Sequence, residues 1–129
     1  MKKDFDNWNI EKLKIHQTDG RVFFHEREVW WCRIGVNVGY EQDGKGDNFA
    51  RPVLIFKKFN NEVCWVIPLS TKIKKGKFYV SVDIGDTVER AAIISQLKLV
   101  DAKRLYQKIG VLNNMEYKKV QSAVINLCQ

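Results

Sequence analysis

Residues 39–46 read Gly-Tyr-Glu-Gln-Asp-Gly-Lys-Gly, one residue away from the loop G-x-x-x-x-G-K-[ST] that cradles nucleotide phosphates. Gly46 stands where the magnesium-binding Ser or Thr belongs. A phosphate loop also needs a strand before it and a helix after it, so that the helix N-terminus faces the anion. Here the chain continues into Arg-Pro-Val-Leu-Ile-Phe, residues 51–56, a strand-like composition. Glu41 and Asp43 would put negative charge inside the cradle. Asp43, Asp47 and Asn48 raise calcium as a second thought, but the twelve-residue spacing closed by a glutamate is missing. The plainest reading is a solvated glycine-rich hairpin loop. A nucleotide-binding protein using Gly39–Gly46 stays open as an alternative. Other chemistry-bearing residues are few. His16 and His25 are the only histidines, both near the start, and read as surface or packing residues rather than an acid–base pair. Cys32, Cys64 and Cys128 form no C-x-x-C pair, so zinc is not expected. All three sit among apolar residues and read as small buried hydrophobes.

The elements that must carry these residues are mostly strands. In residues 4–17, Phe5, Trp8, Leu13 and Ile15 recur at roughly helical spacing and predict a short N-terminal helix, followed by a turn at Asp19-Gly20. Residues 28–34 and 51–59 are rich in β-branched and aromatic side chains, and Pro52 opens the second run where a missing N–H is tolerated. Asn60-Asn61 turns the chain into a returning strand, 62–70, to give a hairpin. A basic loop over 72–77 leads to an alternating strand, 77–84. Residues 91–100 predict mostly strand, and 101–110 one helical turn before Gly110. Met115, Val120, Ala123, Val124 and Leu127 form one stripe of a C-terminal helix capped by Asn113 or Asn114. Trp30, Trp31 and Trp65 lie in strands, with at least one tryptophan on each strand expected in the core. The sum is a mainly β (α+β) fold of five or six antiparallel strands, curled into a small sheet or open barrel with helical flanks.

Composition sets the partners. The chain has 129 residues, enough for one real core, and a net charge of +7 that attracts polyanions such as nucleic acid. No apolar run is long enough to span a bilayer, and the first twelve residues lack an apolar signal core, so a cytoplasmic protein without a membrane partner is expected.

Several separated stretches recur in one order: a strand with two aromatics, a glycine, Gly-Tyr-Glu-Gln-Asp-Gly-Lys, Arg-Pro-Val-Leu-Ile-Phe, Ile-Pro-Leu-Ser-Thr-Lys, and residues 92–112. In this order they resemble the MazF/PemK family of toxins from bacterial type II toxin–antitoxin pairs, over about residues 26–127, with residues 1–25 as an N-terminal extension and 26–129 as the toxin domain. The resemblance implies a strongly twisted SH3-like barrel similar to CcdB and a homodimer. It also implies metal-independent cleavage of single-stranded RNA with no cofactor, and an acidic antitoxin laid over the RNA groove. It places the family's catalytic arginine at Arg51, its hydroxyl residue at Ser70 beside Thr71, and its loop glutamate at Glu41. The loop from Glu41 to Arg51 is longer than usual, as in an N-terminally extended subgroup that the chain also resembles. A non-cleaving nucleic-acid-binding or gyrase-inhibiting toxin of the same fold is the alternative.

Metal-free RNA cleavage uses the substrate's own 2′-hydroxyl as nucleophile. The enzyme must take its proton, stabilise the charged phosphorane and protonate the leaving 5′-oxygen. The Arg51 guanidinium is planar and permanently charged, suited to two phosphate oxygens and unsuited to act as a base. Ser70 can donate to the same phosphate, and Glu41 is the nearby base. Lys45, Lys72, Lys74, Lys75 and Lys77 supply positive charge for RNA binding, Thr71 a hydroxyl beside them, and Phe49 a face on which a base can stack.

Overall fold

The computed structural model describes residues 2–72 and 75–129; Lys74 lies outside the described residues. The chain opens with helix α1 (Phe5–Gln17), whose N-cap Asp4 accepts a hydrogen bond from the Asn7 N–H. Trp8 and Ile15 are two turns apart and buried, whereas Phe5 and Leu13 are exposed. Leu13 lies five residues past Trp8, roughly 140° round a helix of 3.6 residues per turn, so the expected four-residue stripe is a two-residue stripe. The reason Trp8 fits is Gly35: a Cβ there would lie 1.9 Å from the indole Cε2. Gly35 also has φ +78°, a conformation only glycine adopts without strain.

Seven strands follow: β1 (Glu28–Arg33), β2 (Ala50–Lys58), β3 (Val63–Ser70), β4 (Tyr79–Val82), β5 (Arg90–Ile93), β6 (Lys98–Asp101) and β7 (Leu105–Val111). All pairings are antiparallel, and the order is β4-β5-β3-β2-β1-β7 with β6 also on β3. Asn60 shapes the β2–β3 turn, its Oδ1 accepting from the N–H groups of Glu62 and Val63. The early part of β3, Val63–Val66, pairs with β6, and its last two residues, Leu69 and Ser70, pair with β5. Pro68 stands between the two segments. It has no N–H to continue a ladder, which suits a strand that changes partner there.

The stretch 91–100, expected as mostly strand, is β5 and β6 joined by a 3₁₀ turn, Ile94–Gln96. The one helical turn expected within 101–110 is the 3₁₀ turn Ala102–Arg104, and the rest is β7, paired to β1 with two register shifts. Gln107 and Lys108 are exposed in that strand, so its alternation is weak in the sequence.

Both faces of the sheet are covered. On one lie Trp30, Cys32, Val53, Ile55, Cys64, Val66 and Val100. On the other, Val29, Leu54, Ile67 and Leu69 meet helix α2 (Asn114–Leu127) through Tyr117 and Val120. Adjacent residues of one strand thus feed two cores, as the period of two requires. Asn113 caps α2 by accepting from the Glu116 N–H at 2.8 Å. Met115 is exposed rather than on the buried stripe; Tyr117 takes the buried place and donates its hydroxyl to the Phe56 carbonyl. Cys32 and Cys64 are buried, and burial pushes both thiols up to about 12. Cys128 is exposed, against expectation, because it follows the last turn of α2. Trp30 is core, while Trp65 is exposed on β3 and packs edge-on against Phe59. The resulting architecture is a mainly antiparallel, seven-stranded open sheet with a helix at each end of the chain. Among the described residues no helix is long and apolar enough to cross a membrane.

Candidate active site

Arg51 is the second residue of β2, immediately before Pro52, and its side chain turns across the neighbouring backbone. Nε donates to the Asp43 carbonyl at 2.8 Å and a terminal nitrogen donates to the Leu69 carbonyl at 3.2 Å. Two carbonyls thus fix the fork, and the remaining members of its five N–H donors are left for an anion. Burial pulls the Arg51 pKa down, and the nearby Asp43 charge opposes that. The group stays cationic at any working pH.

Ser70 ends β3 beside it. Its Oγ accepts the Lys72 N–H at 3.1 Å, which turns the chain and leaves the hydroxyl proton free to donate outward. Arg51 and Ser70 line one cavity of about 370 Å³ together with the apolar Trp31, Pro52 and Leu69 and the polar Lys45, Thr71, Lys72 and Arg90. Lys45 is held there by a two-way backbone bridge to Ala50, at 2.8 and 3.1 Å. An adjoining hollow of about 220 Å³ shares Arg51, Ser70, Lys45 and Lys72 and adds Gln42 and Tyr79.

Glu41 is not brought into this group. It is exposed and lines a separate hollow with Ser95, Gln96 and Lys98. The Lys98 pKa is pulled down by burial and by Arg104, and Glu41 is among the charges that oppose this. Phe49 sits at φ +51° with its ring 5.5 Å from that of Trp8, tilted, so it packs α1. Lys75 and Lys77 are exposed beyond the Ser70 turn, with Lys77 set 5.2 Å from the Phe78 ring. His25 lies beside Glu28 at 3.4 Å, and neither histidine lines the cavity. Among the described residues no three His, Cys, Asp or Glu side chains converge as a metal site. Residues 39–46 lead into a strand, β2, so the phosphate-loop geometry is absent.

Sequence reasoning missed Trp31, Gln42, Tyr79 and Arg90. Trp31 was within reach, since it pairs with Pro52, and fixing the β1–β2 register would have set it beside Arg51. Arg90 carried no signal. It reaches the cavity only because Ala91 pairs with Ser70. Arg90 is buried, holds both oxygens of Asp86 at 2.8 Å, and its Nε has no partner among the described residues.

The antiparallel open sheet with its two flanking helices defines a fold class, and the comparisons agree with that fold. The model of the family described as PemK-like, MazF-like toxin of type II toxin-antitoxin system matches residues 25–128. The chain belongs to that family. Its fold is shared with MazF from Deinococcus radiodurans, at TM-score 0.65 and 15% identity over 83% of this chain and 97% of that one. An endoribonuclease from a mycobacterial species, solved with its cognate antitoxin, aligns at TM-score 0.63 and 15% identity, over 82% and 95%. The Mycobacterium tuberculosis toxin MazF-mt6 aligns at TM-score 0.60 and 19% identity, over 78% and 94%. At such identities these structures speak for the fold. No curated protein sequence matches the chain.

Proposed function

We propose that this chain is a toxin that cuts single-stranded RNA without a metal ion, by transesterification through the substrate's 2′-hydroxyl. The observation that carries the reading is Arg51, tied by two carbonyls beside the Ser70 hydroxyl in one cation-lined cavity. A fixed guanidinium needs no reorganisation when charge develops on phosphorus, which is where such a donor is worth most. Arg51 stabilises the phosphorane and Ser70 donates to a non-bridging oxygen. The 2′-hydroxyl loses its proton to water as its oxygen bonds to phosphorus, and the 5′-oxygen takes a proton from water as its bond to phosphorus breaks, giving a 2′,3′-cyclic phosphate and a 5′-hydroxyl. The apolar lining of Trp31, Pro52 and Leu69 suits the face of a base, and Lys45, Lys72, Lys75 and Lys77 suit the flanking phosphates. Lys74 extends the same basic run, and Thr71 adds a hydroxyl donor. Glu41 faces Lys98 across its own hollow, so the geometry supports it less as the base than as a rim charge. Phe49 belongs to the packing of α1.

The same reading brings a homodimer, a cytoplasmic location and an acidic antitoxin. The antitoxin is supported by the net charge of +7 and by the relatives solved with an antitoxin. Incubation with a long single-stranded RNA in EDTA, with both ends of the products mapped, tests the function. Discrete cuts leaving 5′-hydroxyl and cyclic-phosphate ends support it. Binding of the RNA without cutting would favour the non-cleaving alternative.

A further inference from the structure

Lys3 is a cation close to the start of the chain, yet its side chain is only 8% exposed. Its ammonium donates to the Asn37 carbonyl, to the Gly39 carbonyl at 2.8 Å, and to the Asp43 carboxylate at 3.0 and 3.2 Å. An ammonium has three N–H groups, and here three acceptor groups meet it. All of them belong to the loop over 35–49 that separates β1 from Arg51. A buried ammonium is costly unless paired in this way, so the arrangement is a built cap on that loop.

Asp43 carries the hold onward. Its carboxylate also accepts the Asn37 N–H at 2.7 Å, and its backbone carbonyl accepts Arg51 Nε–H at 2.8 Å. Lys3 therefore stands one residue removed from the cavity. A second tie runs in parallel. Trp8 of α1 lies against Gly35 and Phe49, at opposite ends of the same loop. Between them the Gly44 N–H bonds the Gly35 carbonyl at 2.7 Å. A Cβ on Gly44 would come within 1.7 Å of the Phe49 carbonyl oxygen. The loop is thus packed in layers, with α1 as the outermost.

We propose that residues 2–17 are a positioning element for Arg51, and that Lys3 is the positioning residue, acting through Asp43. This deepens the reading of Arg51 as the phosphate-binding group and rests on it. A lysine that merely stabilised the fold would lower melting temperature without changing the surroundings of the Arg51 guanidinium. A positioning lysine moves both those surroundings and the turnover.

The Arg51 Nε–Hε resonance, assigned by its loss in Arg51→Lys, reads the bond to the Asp43 carbonyl with no RNA present. In Lys3→Met it is expected to shift toward the position of a solvent-exposed arginine and to exchange faster with water. Lys3→Arg, which keeps the charge, is expected to restore it. On RNA, Lys3→Met is expected to lower kcat about 10- to 100-fold with KM little changed, the usual consequence of a misplaced catalytic group. Lys3→Gln, which removes the charge facing Asp43 and leaves Asp43 itself unchanged, is read the same way should Lys3→Met fold poorly. An unmoved resonance in both variants overturns the proposal, whether or not RNA is cut. A moved resonance in a protein that cuts no RNA supports the positioning role and contradicts the nuclease reading.

Discussion

In the proposed reaction Arg51 does the work of a metal ion's charge, and its neighbours decide how much of that charge is aimed. Arg51→Ala removes the fork and is expected to lower cleavage by about 10²–10³ while the fold is kept, since one preorganised donor is worth that much. Arg51→Lys is expected to recover little, because a point charge cannot hold two carbonyls and two phosphate oxygens together. Circular dichroism and single-turnover kinetics check both. Glu41→Gln is expected to cost only a few-fold, far less than Arg51→Ala, because Glu41 lines a different hollow; an equal loss in the two variants would restore it as the base. At this scale the sequence is legible only where a motif carries meaning. Arg51 before Pro52, and Ser70 after Pro68-Leu69, are contiguous patterns. Trp31, Gln42, Tyr79 and Arg90 reach the cavity through pairing between strands, and nothing local announces that.

Among the elements, α1 and β1 have the sharpest consequences. Gly35→Ala drives a Cβ into the Trp8 ring and asks alanine to hold φ +78°. Left-handed strain and overpacking together are expected to cost at least about 2 kcal/mol, read from denaturant unfolding. At the β1–β7 seam Glu28 is buried, which pushes its carboxyl pKa up. Hydrogen bonds from Trp30 Nε1 (3.0 Å) and the His25 N–H (2.8 Å), with Lys108 at 3.0 Å, outweigh this and hold the pKa below the ordinary value. A depressed carboxylate contributes stability above its unfolded pKa, near 4.5, and loses it as pH falls through the folded value. Melting temperature is therefore expected to fall below about pH 4.5 in the native chain and less steeply in Glu28→Gln. β1, the β2–β3 hairpin and both helices were legible from composition and turn residues. β7 was not, because its middle is exposed and its pairing to β1 is irregular. The break between β5 and β6 was hidden because both pair with one strand, β3, at different segments of it.

Taken whole, the molecule is a two-core sheet with a positive cleft at one end and a net charge of +7. Lys57 and Lys58, at the far end of β2, turn to Glu26 and to the Phe24 carbonyl, so they serve the fold rather than the cleft. RNA affinity is expected to fall steeply with salt, as counterion release requires, and Lys45→Ala or Lys72→Ala to reduce that slope by about one phosphate contact each. A slope unchanged in both variants would move the RNA path elsewhere. The architecture was legible from the strand pattern to within one or two strands, whereas the packing of residues 2–17 against the loop was not, since Lys3 reads as one more surface lysine. The most direct test is a single-turnover time course on one long RNA in EDTA, comparing the native chain with Arg51→Ala. Discrete 5′-hydroxyl ends are expected from the native chain and a rate about 10²–10³ lower in the variant. Intact RNA with the folded native chain, or equal rates in the two, would contradict it.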